Sequence, residues 1–172
     1  MATVIRGDDN FDTSIGSNIV QTHVTSASAQ ALTANTRVDI LALTANITPK
    51  YTTSKIMVEV RWQGECDGGN ENIVFGIRRG GVDVGNGDVS GTRATGIAGI
   101  SQGYAQIDNQ STMDSATYSF LDTPSTTSET TYTATIMNRN ASIMYYNQTV
   151  GAGDGSAYER LTSSITLTEV QG

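Results

Sequence analysis

The clearest pattern along the chain is an alternation of apolar and polar residues at positions 54–62. Ile56, Val58, Val60 and Trp62 share one side of an extended chain, and charged residues take most of the other side. A period of two residues is typical of an antiparallel strand with one buried face. We therefore predict a long half-buried strand here, with the single tryptophan as a landmark of the core.

The same period flanks a polar connection later in the chain. Tyr118 and Phe120 precede Pro124, and Tyr132 and Ile136 follow it. Proline cannot donate to a sheet ladder, and the Ser/Thr run after it competes for backbone donors. The chain should therefore leave the sheet at Pro124 and return after the run. This stretch predicts a pair of strands whose aromatic and aliphatic residues belong to the core.

Further short apolar segments are separated by glycine, proline and polar clusters, which are typical of turns. They predict strands at 18–25, 37–43, 73–77, 82–84, 103–107, 142–147 and 160–170, and a turn at 64–70. No run of ten or more residues has a helical period. About nine to eleven short strands at fairly regular spacing predict an all-β fold, an antiparallel jelly roll or β-sandwich.

The first 17 residues have no sustained period, and we predict that they form a short extended N-terminal arm before a β domain at 18–172. Four apolar side chains, Val4, Ile5, Phe11 and Ile15, are too many for a free tail and too scattered for a separate fold. We expect the arm to contact another surface, either a second subunit or an attachment site.

The amino-acid composition provides few residues for a hydrophobic core. Only 37% of the residues are hydrophobic and 6% are aromatic, while 18 are glycine. The expectation is that one protomer does not complete its own core and that association between identical chains supplies the missing burial. The glycine-rich stretch 85–101 lacks the lysine of a phosphate-binding loop, so its glycines are expected to allow close approach of strands or subunits.

The net charge and the hydropathy pattern limit the kinds of partner that we expect the protein to bind. The formal net charge of -7 opposes binding to nucleic acid. No apolar run approaches 18 residues and no signal-peptide pattern is present, so neither membrane insertion nor export by a signal peptide is expected. Arg37, Arg61 and Arg160 are expected to be exposed and solubilising, with subunit contacts as the alternative.

Catalytic chemistry has few candidates. The chain has one histidine, His23, and one cysteine, Cys66, which cannot by themselves form a metal cluster or a catalytic triad. We predict no catalytic residue, no metal and no cofactor, and a protein that is not an enzyme. A glycan hydrolase using two of the aspartates is the remote alternative.

Three stretches carry a resemblance. They are SKIMVEV at 54–60 followed by a glycine loop, FLDTPSTTSETTY at 120–132, and GSAY at 155–158 leading into SITLTEV at 164–170. Together they resemble a family of small β domains in virion proteins of tailed bacteriophages, over about residues 18–170. The resemblance implies a jelly roll similar to the trimeric heads of the tumour-necrosis-factor and complement type.

The resemblance also implies a function. Such domains commonly end tail fibres, where they bind host receptors, but here a short arm follows Met1 in place of a fibre shaft. We therefore expect a homotrimeric capsid decoration or cement protein whose partners are itself and the major capsid protein or another virion protein. It would be made in the host bacterial cytoplasm and located in the virion. A receptor-binding knob of a tail or tail fibre, contacting a host surface glycan or receptor, is the alternative.

Overall fold

The computed structural model of the protein describes residues 18–67, 72–100, 111–151 and 153–170, and every helix or strand assigned within these ranges is a β-strand. The strands are β1 (Ile19–Val24), β2 (Ser28–Leu32), β3 (Val38–Ile47), β4 (Lys55–Cys66), β5 (Val74–Arg79), β6 (Val82–Val84), β7 (Ala98–Gly99), β8 (Asp114–Asp122), β9 (Thr130–Met137), β10 (Ser142–Tyr146) and β11 (Ser163–Val170). The predicted all-β class is confirmed, because two antiparallel sheets pack together as a β-sandwich.

The long strand β4 organises the first sheet, sheet A. One of its edges pairs with β8, while the other pairs with β11 and then, at the end of the strand, with β10. Strand β1 extends the sheet beyond β11, and β2 extends it beyond β10. Sheet B has the order β3-β9-β5-β6, and the short β7 also pairs with β5.

The core lies between the two sheets and is centred on Trp62, whose side chain is fully buried. The Trp62 ring lies 5.0 Å from that of Phe75, and Phe75 lies 5.9 Å from Tyr118, so aromatic rings from both sheets meet there. Of the residues placed in the core from sequence, Ile56, Val58, Val60, Trp62, Tyr118, Tyr132 and Ile136 are buried and Phe120 is half-buried.

One chain encloses this core, contrary to the expectation from composition. A single connected cluster of buried side chains draws on both sheets, from Leu32 in β2 to Leu167 in β11. The low hydrophobic fraction has another cause. Serine and threonine occupy many outward positions of the strands, such as Thr117 and Ser119 in β8, so these positions do not contribute to the hydrophobic fraction.

The two strands flanking Pro124 are present, but the prediction that they pair with each other is wrong. Strand β8 pairs with β4 in sheet A, whereas β9 lies between β3 and β5 in sheet B. Both have a buried face because they lie on opposite sides of the core. The polar connection at 123–129 therefore crosses from one sheet to the other.

The predicted turn at 64–70 begins too early, because β4 continues to Cys66. Gly64 occupies an inward position of the strand. A Cβ there would lie 2.7 Å from the ring carbon Cζ2 of Trp62 and would also meet the carbonyl oxygen of Tyr145. The glycine makes room for the indole ring and does not mark a reversal of the chain.

Two other strand predictions differ from the structure. Strand β2 was missed because its sequence, SAQAL, lacks apolar alternation; it is held by pairing with β10 and by the Gln30 amide, which donates to the Asp39 carbonyl at 2.7 Å. Strand β11 starts at Ser163, so the exposed Leu161 precedes it. The strand predicted at 103–107 lies outside the described residues.

Candidate interaction surface

Charged side chains of the same chain cover the centre of the outer face of sheet B, while Leu41 in the edge strand β3 is 75% exposed. Thr133 and Thr135 point outward from β9 and are nevertheless buried. Arg37 lies over them with its side chain only 8% exposed. Its guanidinium donates to the Thr135 hydroxyl at 2.9 Å and to the Thr95 carbonyl, and it pairs with Asp83 at 3.2 Å.

Arg78 completes the cover of sheet B. It donates to Asp39 at 2.7 Å and to Asp83 at 2.8 Å, so that Asp83 is shared by both arginines. Burial lowers the pKa of Arg37. Burial alone would also lower the pKa of Arg78, but the hydrogen bonds to Asp83 and Asp39 raise it overall. These four charges thus tie the outer face of sheet B together.

The expectation that Arg37 is an exposed, solubilising residue is therefore wrong. It is a buried member of an ion-pair network within one chain. The space it occupies exists because residue 76 is glycine: a Cβ there would lie 2.6 Å from the Arg37 nitrogen Nη1. Arg61 and Arg160 are exposed, and they donate to Thr162 and Gln148.

Among the residues that the structure describes, no comparable ion-pair network covers the outer face of sheet A. The strand register places Ile19, Thr168, Met57 and Leu121 side by side across β1, β11, β4 and β8. All four alternate with core residues and so point outward. Ile19 is 57% exposed and Leu121 is 42% exposed.

Val170 lies on the same face, two residues along β11 from Thr168, and is 41% exposed. We call Ile19, Met57, Leu121 and Val170 the apolar row; Thr168 lies between Ile19 and Met57, Lys55 pairs with Val170, and Met57 is half-buried. The neighbouring lines across the sheet are polar: Gln21, Thr166, Glu59 and Ser119 form one, and His23, Ser164, Arg61 and Thr117 form the next. The apolar row is therefore a band near one end of a face that otherwise carries hydroxyl, amide and charged groups.

The strand ends beside the apolar row are fixed by Glu169. Its carboxylate accepts hydrogen bonds from the Ser54 hydroxyl at 2.6 Å, the Lys50 backbone N–H at 2.7 Å and the Asn18 amide at 3.1 Å. Burial alone would raise the pKa of Glu169, but these donors lower it overall. They join the end of β11 to the residue before β1, so the row lies on a rigid part of the sheet.

A second polar cluster closes one end of the core. Asp122, 6% exposed, accepts a hydrogen bond from the Tyr132 hydroxyl at 2.6 Å and pairs with Arg79 at 2.8 Å. Burial and the bond to Asp122 raise the pKa of Tyr132. Because both oxygens of Asp122 already accept from the protein, this cluster joins β8 to β9 and β5 across the two sheets.

The residues predicted from sequence are distributed as follows. The arm residues Val4, Ile5, Phe11 and Ile15 lie outside the described residues. The eight core landmarks line the interior, and none of them belongs to the apolar row. Met57 and Leu121 could have been found from sequence, because each is an apolar residue on the outward phase of a strand, where a polar one is usual.

Possible reactive groups are few in the described ranges, where no group of three or more His, Cys, Asp or Glu residues could hold a metal ion. His23 is exposed on β1. Cys66 is buried, and burial raises the pKa of its thiol to about 12, which keeps it protonated and unreactive at neutral pH.

None of the described residues form a helix long and apolar enough to cross a membrane. A scan of the sequence against protein-family models found no match. A search of curated proteins likewise found none.

Proposed function

We propose that this protein is a structural protein of a bacteriophage virion, a homotrimer that decorates or cements the capsid surface. The observation that supports the proposal is the apolar row on sheet A, where Ile19, Leu121 and Val170 are exposed and no ion-pair network of the described residues covers them. An exposed band of apolar side chains on a rigid sheet is a surface suited to association with another protein. The sequence resemblance to virion head domains supports the identity of the particle.

The strand order supports a jelly roll. With the short or additional strands β2, β7 and β10 set aside, the remaining strands run first-eighth-third-sixth in sheet A and second-seventh-fourth-fifth in sheet B. This is the order produced by two interlocked Greek keys, which define a jelly roll. The trimeric heads that the sequence resembles have the same kind of fold.

On this proposal the mechanism is interfacial burial. Each Å² of apolar surface removed from water contributes about 25 cal/mol, before the cost of lost translational and side-chain freedom. Burying Ile19, Met57, Leu121 and Val170 against copies of the chain would favour association without rearrangement of the sheet. The Glu169 hydrogen bonds hold the row in the same geometry before and after assembly.

The N-terminal arm supplies the second contact. Asn18 leads directly into Ile19, so the arm joins the domain at the apolar row. Its apolar residues Val4, Ile5, Phe11 and Ile15 would bind the capsid or a neighbouring subunit. A chain lacking residues 1–17 should fold with an unchanged melting temperature and should fail to bind particles. Retained incorporation of the shortened chain would remove the arm from the proposal.

Copy number in purified virions tests the function directly. A capsid decoration protein should be present in hundreds of copies per particle, measured by quantitative mass spectrometry against the major capsid protein. A count of a few to tens would contradict the proposal. That count, combined with blocking of adsorption by the isolated protein, would indicate a receptor-binding knob.

A further inference from the structure

A polar cleft of about 500 Å³ opens at one end of the sandwich. Four parts of the chain form its walls: the turn between β2 and β3, the residue Asn72 shortly before β5, the segment between β6 and β7, and the end of β9 with the turn that follows it. Its lining residues are Asn35, Asn72, Thr92, Ala94, Met137 and Arg139. This volume falls within the range of about 300–1,000 Å³ typical of small-molecule sites.

The positive charge at this cleft is not used within the chain. Across the described ranges, Arg37, Arg61, Arg78, Arg79 and Arg160 each donate to an acceptor of the protein. Arg139 makes no such contact there, and neither does Arg93, which lies between the lining residues Thr92 and Ala94. Among the arginines that the structure describes, the two without an acceptor are Arg139, which lines the cleft, and Arg93, which is adjacent in sequence to two of its lining residues.

The backbone around Arg139 is fixed even though its guanidinium is not. Asn138 is fully buried; its side chain accepts from the Asn140 N–H at 3.0 Å and donates to Ser142 at 3.0 Å. Its carbonyl accepts from the Asn35 N–H at 2.8 Å, which ties the two turns together. Arg139 is therefore presented to the cleft from a rigid turn.

The uncharged groups that line the cleft indicate which other parts of a ligand would bind beside an anionic group at Arg139. The side chains of Asn35 and Asn72 make no hydrogen bond within the described structure, and each amide offers both donors and an acceptor. Both residues have positive φ, 53° and 58°, which places them in tight turns at the rim. Met137 and Ala94 add an apolar patch. Amides that bind hydroxyl groups, a small apolar surface for a ring and an arginine for an anion are the groups that an acidic sugar requires.

We propose that this cleft binds an acidic saccharide, with Arg139 pairing to its carboxylate or sulfate and the Asn35 and Asn72 amides binding its hydroxyls. A planar guanidinium forms paired hydrogen bonds with either anion. A single sugar unit is favoured over a polyanion, because the negative charge of the protein opposes long anionic chains. The inference does not depend on the capsid-surface proposal, since it concerns a different part of the molecule.

Titration of the full chain with three monosaccharides by calorimetry tests the inference. One is a uronic acid, one carries a single sulfate and one is a neutral sugar. Binding of either acidic sugar, weakened by salt and about 10-fold or more tighter than binding of the neutral one, is expected. The uronate and sulfate arms distinguish the source of the anion. Absence of binding by both acidic sugars, or equal binding of the neutral one, would overturn the proposal.

Arg139→Gln and Arg160→Gln form a matched pair of variants. Each removes one positive charge. Arg139 precedes β10, whereas Arg160 contacts Gln148 just after β10, so the two arginines lie at opposite ends of the β2–β10 pair. Arg139→Gln should weaken binding of the acidic sugar about 10-fold or more with an unchanged melting temperature, because the side chain makes no hydrogen bond or ion pair in the described structure. Arg160→Gln should bind like the unmodified chain. Equal affinity of both variants would overturn the role of Arg139.

Discussion

The outer faces of the two sheets differ in whether charged side chains of the same chain cover them. On sheet B, Arg37, Arg78, Asp39 and Asp83 cover the threonines of β9 and satisfy one another. On sheet A, no comparable network covers the part of the face that the structure describes, and the apolar row remains exposed. The centre of sheet B is therefore covered within one chain, whereas on sheet A Ile19, Leu121 and Val170 are exposed.

The difference also shows what low hydrophobic content means in this fold. The interior is complete, so association is not needed to fill it. On the proposed function, the apolar row and the N-terminal arm provide the contacts for assembly. Substitutions in the core and in the cover of sheet B should thus change the stability of the protomer, while substitutions in the apolar row should change its association.

The largest effect is expected in the core that both sheets share. Trp62→Ala should lower the free energy of unfolding by about 3–5 kcal/mol, because a buried aromatic side chain is lost and leaves a cavity. Urea unfolding followed by tyrosine fluorescence measures the change. An unchanged melting temperature would show that Trp62 does not pack between the sheets.

A smaller effect is expected in the cover of sheet B, where two arginines form a matched comparison. Arg37→Ala removes a buried guanidinium and its hydrogen bonds to Thr135 and Thr95, while Asp83 keeps its pair with Arg78, and should cost about 2 kcal/mol. Arg61→Ala, on the open face of sheet A, should change stability by less than about 0.5 kcal/mol. Equal losses in the two variants would contradict the distinction between the faces.

Glu169 should give a modest, pH-dependent effect. Glu169→Gln replaces a carboxylate that accepts three hydrogen bonds and should cost about 1 kcal/mol at pH 7. The pKa of Glu169 lies below 4.5 in the folded protein, so the unfolded chain takes up its proton first as the pH falls. The contribution of the ionised form is therefore complete above about pH 4.5 and is lost below it.

Thermal unfolding of both forms between pH 3 and pH 7 measures this effect. The difference in stability between the unmodified chain and Glu169→Gln should narrow as the pH falls through the folded pKa. A difference that is constant across this range would show that the carboxylate charge does not stabilise the junction beside the apolar row.

The smallest effect on the protomer is expected for Leu121→Ser. Its side chain is 42% exposed, so the free energy of unfolding of the protomer should change by less than about 0.5 kcal/mol. Circular dichroism at a protein concentration low enough to exclude association measures this value. A loss similar to that of Trp62→Ala would place Leu121 in the core.

Sequence patterns predicted the strands that have one buried face. They failed where contacts between residues distant in sequence determine strand length or strand pairing. Strand β4 was predicted because Ile56, Val58 and Val60 alternate. Its extension to Cys66 was not, since Gly64 is required by the Trp62 ring and glycine usually indicates a turn. The pairing of β8 with β4 was missed because periodicity identifies a buried face but not the neighbouring strand.

The candidate surfaces were harder to predict for a related reason. Arg37 and Asp83 are far apart in sequence, and only the fold brings them together over sheet B. The apolar row likewise depends on the register of four strands, although Met57 and Leu121 individually break the polar outward phase. Composition suggested association, but it placed the cause in an incomplete core instead of on an exposed face.

On the proposed function, copies of this chain associate through the open face of sheet A. Analytical ultracentrifugation of the purified chain, compared with Leu121→Ser and Arg61→Ala, measures that association. We expect a trimer for the unmodified chain and for Arg61→Ala, and a dissociated, folded protomer for Leu121→Ser. A stable monomer of the unmodified chain, or a trimer that Leu121→Ser leaves intact, would contradict it.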